Sequence, residues 1–198
     1  QAKAYEDDIK AQEAKIVQME AEIKKKEAEE AAKKAAEEAA RKAAAAGKTN
    51  NSTAKGNTGS TTTTSTGSSS LRWPCPASGR ITSGFGNRKS PTAGASSNHK
   101  GIDISASTGS SIVAAAGGTV SIATYSYSAG NYVVVNHGNG LSTVYMHCSQ
   151  LLVSAGDTVK AGQTIAKVGS TGYSTGSHLH FAVRKNGSYV NPSSYVSP

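Results

Sequence analysis

The spacing of hydrophobic residues changes character along the 198-residue chain. From Ala4 to about Ala46 there is no Gly or Pro, and Ala, Glu and Lys dominate, a composition that predicts one long α-helix. Ile9, Ile16 and Ile23 recur every seven residues, with Tyr5 and Met19 at the matching d positions, which predicts a coiled-coil seam. Gln12 and Lys26 at d and Glu30 at a keep that seam short. Two readings stand side by side: the tail of a longer coiled coil, or a solvated single helix acting as a spacer.

Residues 47–70 lose the pattern altogether. Fourteen of the 24 are Ser or Thr and none is a larger aliphatic than Ala54, so the segment buries too little to offset its ordering entropy and reads as a flexible linker. From Leu71 onward the text becomes short β-branched runs punctuated by glycine. Tyr132–Asn136 and Leu141–His147 flank His-Gly-Asn-Gly, and Phe181–Lys185 and Ser188–Val190 flank Asn186-Gly187, a strong two-residue hairpin turn. The expected organisation is a helical or coiled-coil segment over 1–46, a linker over 47–70 and a mainly β domain over 71–198, long enough for one modest core.

Charge sharpens the division. Residues 1–70 carry 12 Lys+Arg against 11 Asp+Glu, whereas residues 71–198 carry 9 against 2, so nearly all of the net +8 lies on the β half. A basic surface favours anionic partners. No Lys/Arg run interleaved with stacking aromatics and no nucleic-acid-binding signature accompanies it, which disfavours nucleic acid and leaves an anionic cell-wall polymer as the better match. No stretch approaches a membrane span or resembles a signal peptide, and because the chain starts at Gln1 an export signal is expected to have been removed. In an exported domain two cysteines predict one bridge, Cys75–Cys148, with two buried free thiols as the alternative.

The candidate chemistry gathers on histidines, all five of which lie after residue 98. On a strand, His178 and His180 would present two imidazoles to one cavity, and His99 stands four residues before Asp103, one of only two carboxylates after residue 70. Nitrogen and carboxylate donors clustered in this way read as a zinc site. Rival motifs fail. Gly172-Tyr-Ser-Thr-Gly176 matches a hydrolase nucleophile elbow, but no carboxylate follows Asp157 to complete a triad. Gly156 to Gly169 is similar to a biotinyl or lipoyl carrier hairpin, yet the chain runs on where a carrier would display its lysine.

Four segments in series carry a more specific resemblance: Arg80-Ile-Thr-Ser-Gly-Phe-Gly-Asn-Arg88, His99-Lys-Gly-Ile-Asp103, Val144-Tyr-Met-His147 and Gly169 through His178-Leu-His-Phe181. In order and separation they resemble the lysostaphin/LytM-type zinc metallopeptidases, over roughly Trp73 to Tyr195. The resemblance implies a mainly β fold, a two-layer antiparallel sheet or barrel-sandwich hybrid preceded here by the long α-helix. It also implies a zinc-dependent endopeptidase that cuts peptide bonds of bacterial peptidoglycan outside the cell or in the cell envelope. Carried over residue by residue, it makes His99, Asp103 and His180 the Zn²⁺ ligands and His147 and His178 the catalytic pair flanking the bound water. His137, in a hairpin turn, reads as structural.

One departure stands out. Many members of that family place Glu directly after His-Leu-His-Phe, where this chain has Ala182. The change leaves every expected ligand in place and bears on specificity. The competing reading is a non-catalytic LytM-type activator of a separate cell-wall amidase; the filled set of five residues favours the enzyme. For either reading the helix is expected to serve as a partner-binding or autoinhibitory element.

Overall fold

The computed structural model describes residues 2–46, 71–89 and 96–198. The linker expected over 47–70 and the side chain of Tyr5 lie outside the described residues. One helix, α1 (Ala2–Ala46), fills the Gly- and Pro-free segment. The chain divides into two compact units, residues 1–24 together with 70–198, and residues 25–69. The helical part of the second unit exposes its described side chains and carries an i,i+4 ion pair, Glu30–Lys34, at 2.8 Å.

Thirteen strands occur among the described residues of the first unit: β1 (Ile81–Ser83), β2 (Gly86–Asn87), β3 (Asn98–His99), β4 (Ile102–Ser105), β5 (Ser111–Val113), β6 (Gly118–Ser126), β7 (Gly130–Asn136), β8 (Leu141–Cys148), β9 (Gln150–Leu151), β10 (Thr158–Val159), β11 (Thr164–Lys167), β12 (His178–Lys185) and β13 (Ser188–Val190). Eight make one antiparallel sheet in the order β1-β4-β12-β8-β7-β6-β10, with β13 folded back onto β12. A three-stranded sheet, β5-β11-β9, and the β2-β3 pair complete the domain. The mainly antiparallel β fold is the one expected. Both hairpins form where the turn residues predicted them, with Asn186 and Gly187 at positive φ as a tight two-residue turn requires.

Strand alternation sorts β12 into two faces. Leu179, Phe181 and Val183 point into the main core with Ile104, Ile112 and Ile165. The other face presents His178 and His180, then Ala182 and Arg184. Ala182 belongs to a second apolar cluster with Ile122, Tyr132, Val134 and Val144, and Ile16 of α1 completes it. Asp8, Ile9, Gln12, Glu13, Ile16, Met19, Glu20 and Ile23 are the described helix residues shielded from solvent, one face at helical period. The seam read as coiled coil thus meets the sheet: Ile16, at an a position, is buried by strands and not by a second helix. The solvated-spacer reading does not hold for this part of the helix.

The expected Cys75–Cys148 bridge is absent: both are buried free thiols. Each sits in the main apolar core, where a thiol packs as a small hydrophobe. Burial pushes the Cys148 thiol up to about 12 and raises that of Cys75, which keeps both in the unreactive protonated form.

Candidate metal centre and its cleft

Register brings the candidate residues together from distant parts of the chain. β12 pairs with β4 so that His180 faces Asp103, and with β8 so that His180 lies opposite Met146. β3, paired with β2, delivers His99. His99 Nε2, His180 Nδ1 and Asp103 Oδ1 then form a triangle with sides of 3.0, 2.9 and 3.1 Å. Among the described residues this is the one group of three His, Cys, Asp or Glu donors placed to share an ion.

The donors are prepared for a cation. His99 Nδ1 lies 2.7 Å from the Gly84 carbonyl and must donate to it, so its Nε2 lone pair points inward. His180 is seated the opposite way round, its Nε2 against Gly101. A Cβ at Gly101 would stand 2.7 Å from that nitrogen and 2.5 Å from the Phe181 carbonyl oxygen, so only glycine admits the ring. Burial would raise the Asp103 carboxyl, but the His180 and His99 imidazoles packed against it hold it well below the usual carboxylate range. Its second oxygen accepts from Arg88 at 2.9 Å, and the same guanidinium donates to Ser83. Two imidazole nitrogens and one carboxylate oxygen, crowded about 3 Å apart, fit the ligand types and short bonds of zinc.

His147 and His178 flank this triangle. Their rings lie 4.8 Å apart, and His178 Nε2 comes within 3.7 Å of Asp103 Oδ1. Each is pinned through Nδ1 by a backbone carbonyl, His147 by Thr171 at 2.9 Å and His178 by Gly176 at 2.8 Å, which leaves Nε2 as the free nitrogen on both. Burial, reinforced by the neighbouring His180 and His178, pushes the His147 pKa down to about 3. His137 lies elsewhere, between the Gly117 carbonyl and the Thr143 hydroxyl.

The placement of His147 depends on a backbone irregularity. Asn131 pairs with Cys148 but Val133 with Tyr145, so β8 carries one more residue than β7 over that step. The bulge puts His147 at φ 65, a conformation uncommon outside glycine, with its N–H donating to the Ala129 carbonyl. Thr171 locks the region: its hydroxyl donates to the Cys148 carbonyl and accepts from the Asn131 N–H. Arg88, Gly101 and Thr171 all lie in or beside the recognised motifs, yet their supporting tasks went unassigned at the sequence level.

A cleft of about 640 Å³ opens over the triangle, lined by the four clustered histidines, by Tyr173 to Ser177, and by Ile9, Gln12 and Glu13 of α1.

Residues 97–192 match the model of peptidase family M23. The chain is 40% identical over 120 residues to the peptidoglycan DD-endopeptidase ShyC of Vibrio cholerae, covering 60% of this chain and 28% of that protein. A zinc-containing peptidase of Vibrio cholerae superposes with a TM-score of 0.58 at 37% identity, over 62% of this chain and 39% of the other. The catalytic domain of the antimicrobial peptidase lysostaphin from Staphylococcus simulans superposes at 0.54 with 33% identity, over 58% of this chain and 90% of that domain. The chain spans about a third or less of the curated relatives it matches first.

Proposed function

Since the chain belongs to peptidase family M23, we propose that it is a zinc-dependent endopeptidase that hydrolyses peptide bonds in the stem or cross-bridge peptides of bacterial peptidoglycan. The observation that carries this reading is the convergence of three potential ligand atoms, from His99, Asp103 and His180, beside two further imidazoles that flank the same cleft with Nδ1 pinned and Nε2 left over. When bound there, zinc would act as a Lewis acid toward a carbonyl and lower the pKa of water.

The remaining chemistry belongs to the chain's own side chains. One of His147 and His178 takes the proton from the attacking water at Nε2 and returns it to the departing amine as the C–N bond breaks. The other, when it carries a proton on Nε2 as well as on Nδ1, donates from Nε2 to the carbonyl oxygen as negative charge develops there. The carbonyls of Thr171 and Gly176 hold both rings in the orientation this needs. The basic β half suits an anionic wall, and the place of action is the cell envelope or beyond it, where that polymer lies.

Mass spectrometry of fragments released from purified peptidoglycan tests the proposal. Cleavage between two amino acids of the cross-linked peptides, abolished by a chelator and restored by zinc, is the expected result. Release of intact stem peptides from the glycan, or activity only when a separate amidase is added, would overturn it in favour of another chemistry or the activator reading.

A further inference from the structure

The apolar strip on the site-bearing face of the large sheet is covered by the first half of the chain's own helix. We infer that this face is a docking surface for an acidic helical stripe, residues 8–23 of the same chain, and that the docked helix is a removable wall of the cleft that restricts access to His147 and His178. The second part rests on reading the cleft as the peptidase site.

The contacts fall at helical spacing along one stripe. Asp8 accepts from the Ser128 N–H at 2.9 Å and from its hydroxyl at 2.6 Å. Glu13 pairs with Lys100, the residue between His99 and Gly101. Ile16 fills the apolar cluster over Ala182, Val144 and Val134. Glu20 accepts from the Ser142 hydroxyl at 2.6 Å and lies 2.9 Å from Arg184 Nη1. Charge agrees with this pairing: residues 1–24 hold six acidic against four basic side chains, and residues 71–198 hold two against nine.

Position ties the helix to the site. Ile9, Gln12 and Glu13 line the cleft together with His99, His147 and His178. Ala182 follows His180 on the same strand face and shares the cluster with Ile16, so the floor under the helix continues directly from the metal triangle. The interface is built to release. Ile16 is its one fully buried apolar helix side chain among the described residues, and the acidic partners keep partial contact with water, where salt weakens them.

The test uses the full chain loaded with zinc, and two helix variants, Ile16→Asp and the double substitution Glu13→Lys with Glu20→Lys, which leave the β domain untouched. Amide exchange of residues 8–20 reads docking, carbethoxylation of His147 and His178 reads access, and release of products from soluble cross-linked wall fragments reads turnover. Both variants should speed helix exchange roughly tenfold and raise the modification and release rates severalfold. Unprotected helix amides in the wild type would overturn the docking. Faster exchange with unchanged modification would overturn the wall. If exchange and modification both quicken while neither wild type nor variants cleave any fragment, docking and wall stand and the peptidase reading fails.

Discussion

Arg88 decides how Asp103 presents itself. With its second oxygen held at 2.9 Å by the guanidinium, the carboxylate turns its first oxygen toward His99 and His180. Arg88→Ala should weaken zinc binding by about 10- to 100-fold, the usual cost of losing a group that orients a ligand, without removing any donor. Competition against a chromophoric chelator measures it, and an unchanged affinity would show that Asp103 needs no such support. His99, Asp103, His178 and His180 stood out as candidates by residue type and spacing, and His147 only through the resemblance to the metallopeptidases. Their supports did not, since the Gly84, Thr171 and Gly176 carbonyls are backbone atoms with no residue-type signature. The cysteines misled for a related reason: an even count says nothing about burial, and both thiols are core residues.

Element by element, hairpins and helix followed from turn chemistry and composition, but two features depend on partners that local pattern does not identify. The bulge in β8 arises from its register against β7, and that register alone gives His147 its positive φ. The Ile9–Ile16–Ile23 repeat reads the same whether a helix or a sheet will cover it. Tyr132 to Val135, all buried, marked a strand sandwiched on both faces, which is the signal that a cover was needed. A chain of residues 71–198 should fold and bind zinc, because the metal donors and the main core lie within it. It should lose about 1.5–3 kcal/mol for the missing Ile16 burial and self-associate through the bared strip. Urea titration and sedimentation check both effects. A truncated domain that folds but takes up no zinc would mean that the helix completes the site.

At the scale of the whole molecule, stability should depend on pH through buried imidazoles. Burial lowers the His137 pKa, opposed in part by its bond to the Gly117 carbonyl. The unfolded chain therefore binds the proton first as pH falls, so stability is full above the unfolded value of about 6.5 and is lost progressively below it. His147 and His180, also lowered chiefly by burial, act with the same sign when no metal is bound. The urea midpoint of the zinc-loaded protein should fall between pH 7.5 and about 5.5, less steeply in a His137→Gln variant; a slope unchanged by that substitution would remove His137 from the account. The central claim is the division of labour between three ligands and two flanking imidazoles. Zinc content and peptidoglycan-fragment turnover, measured on the same preparations of wild type, Asp103→Ala and His178→Ala, test it most directly. Asp103→Ala should hold no stoichiometric zinc and be inactive, while His178→Ala should keep its zinc and turn over about 10²- to 10⁴-fold more slowly. Stoichiometric zinc in Asp103→Ala, or its loss from His178→Ala, would contradict the assignment.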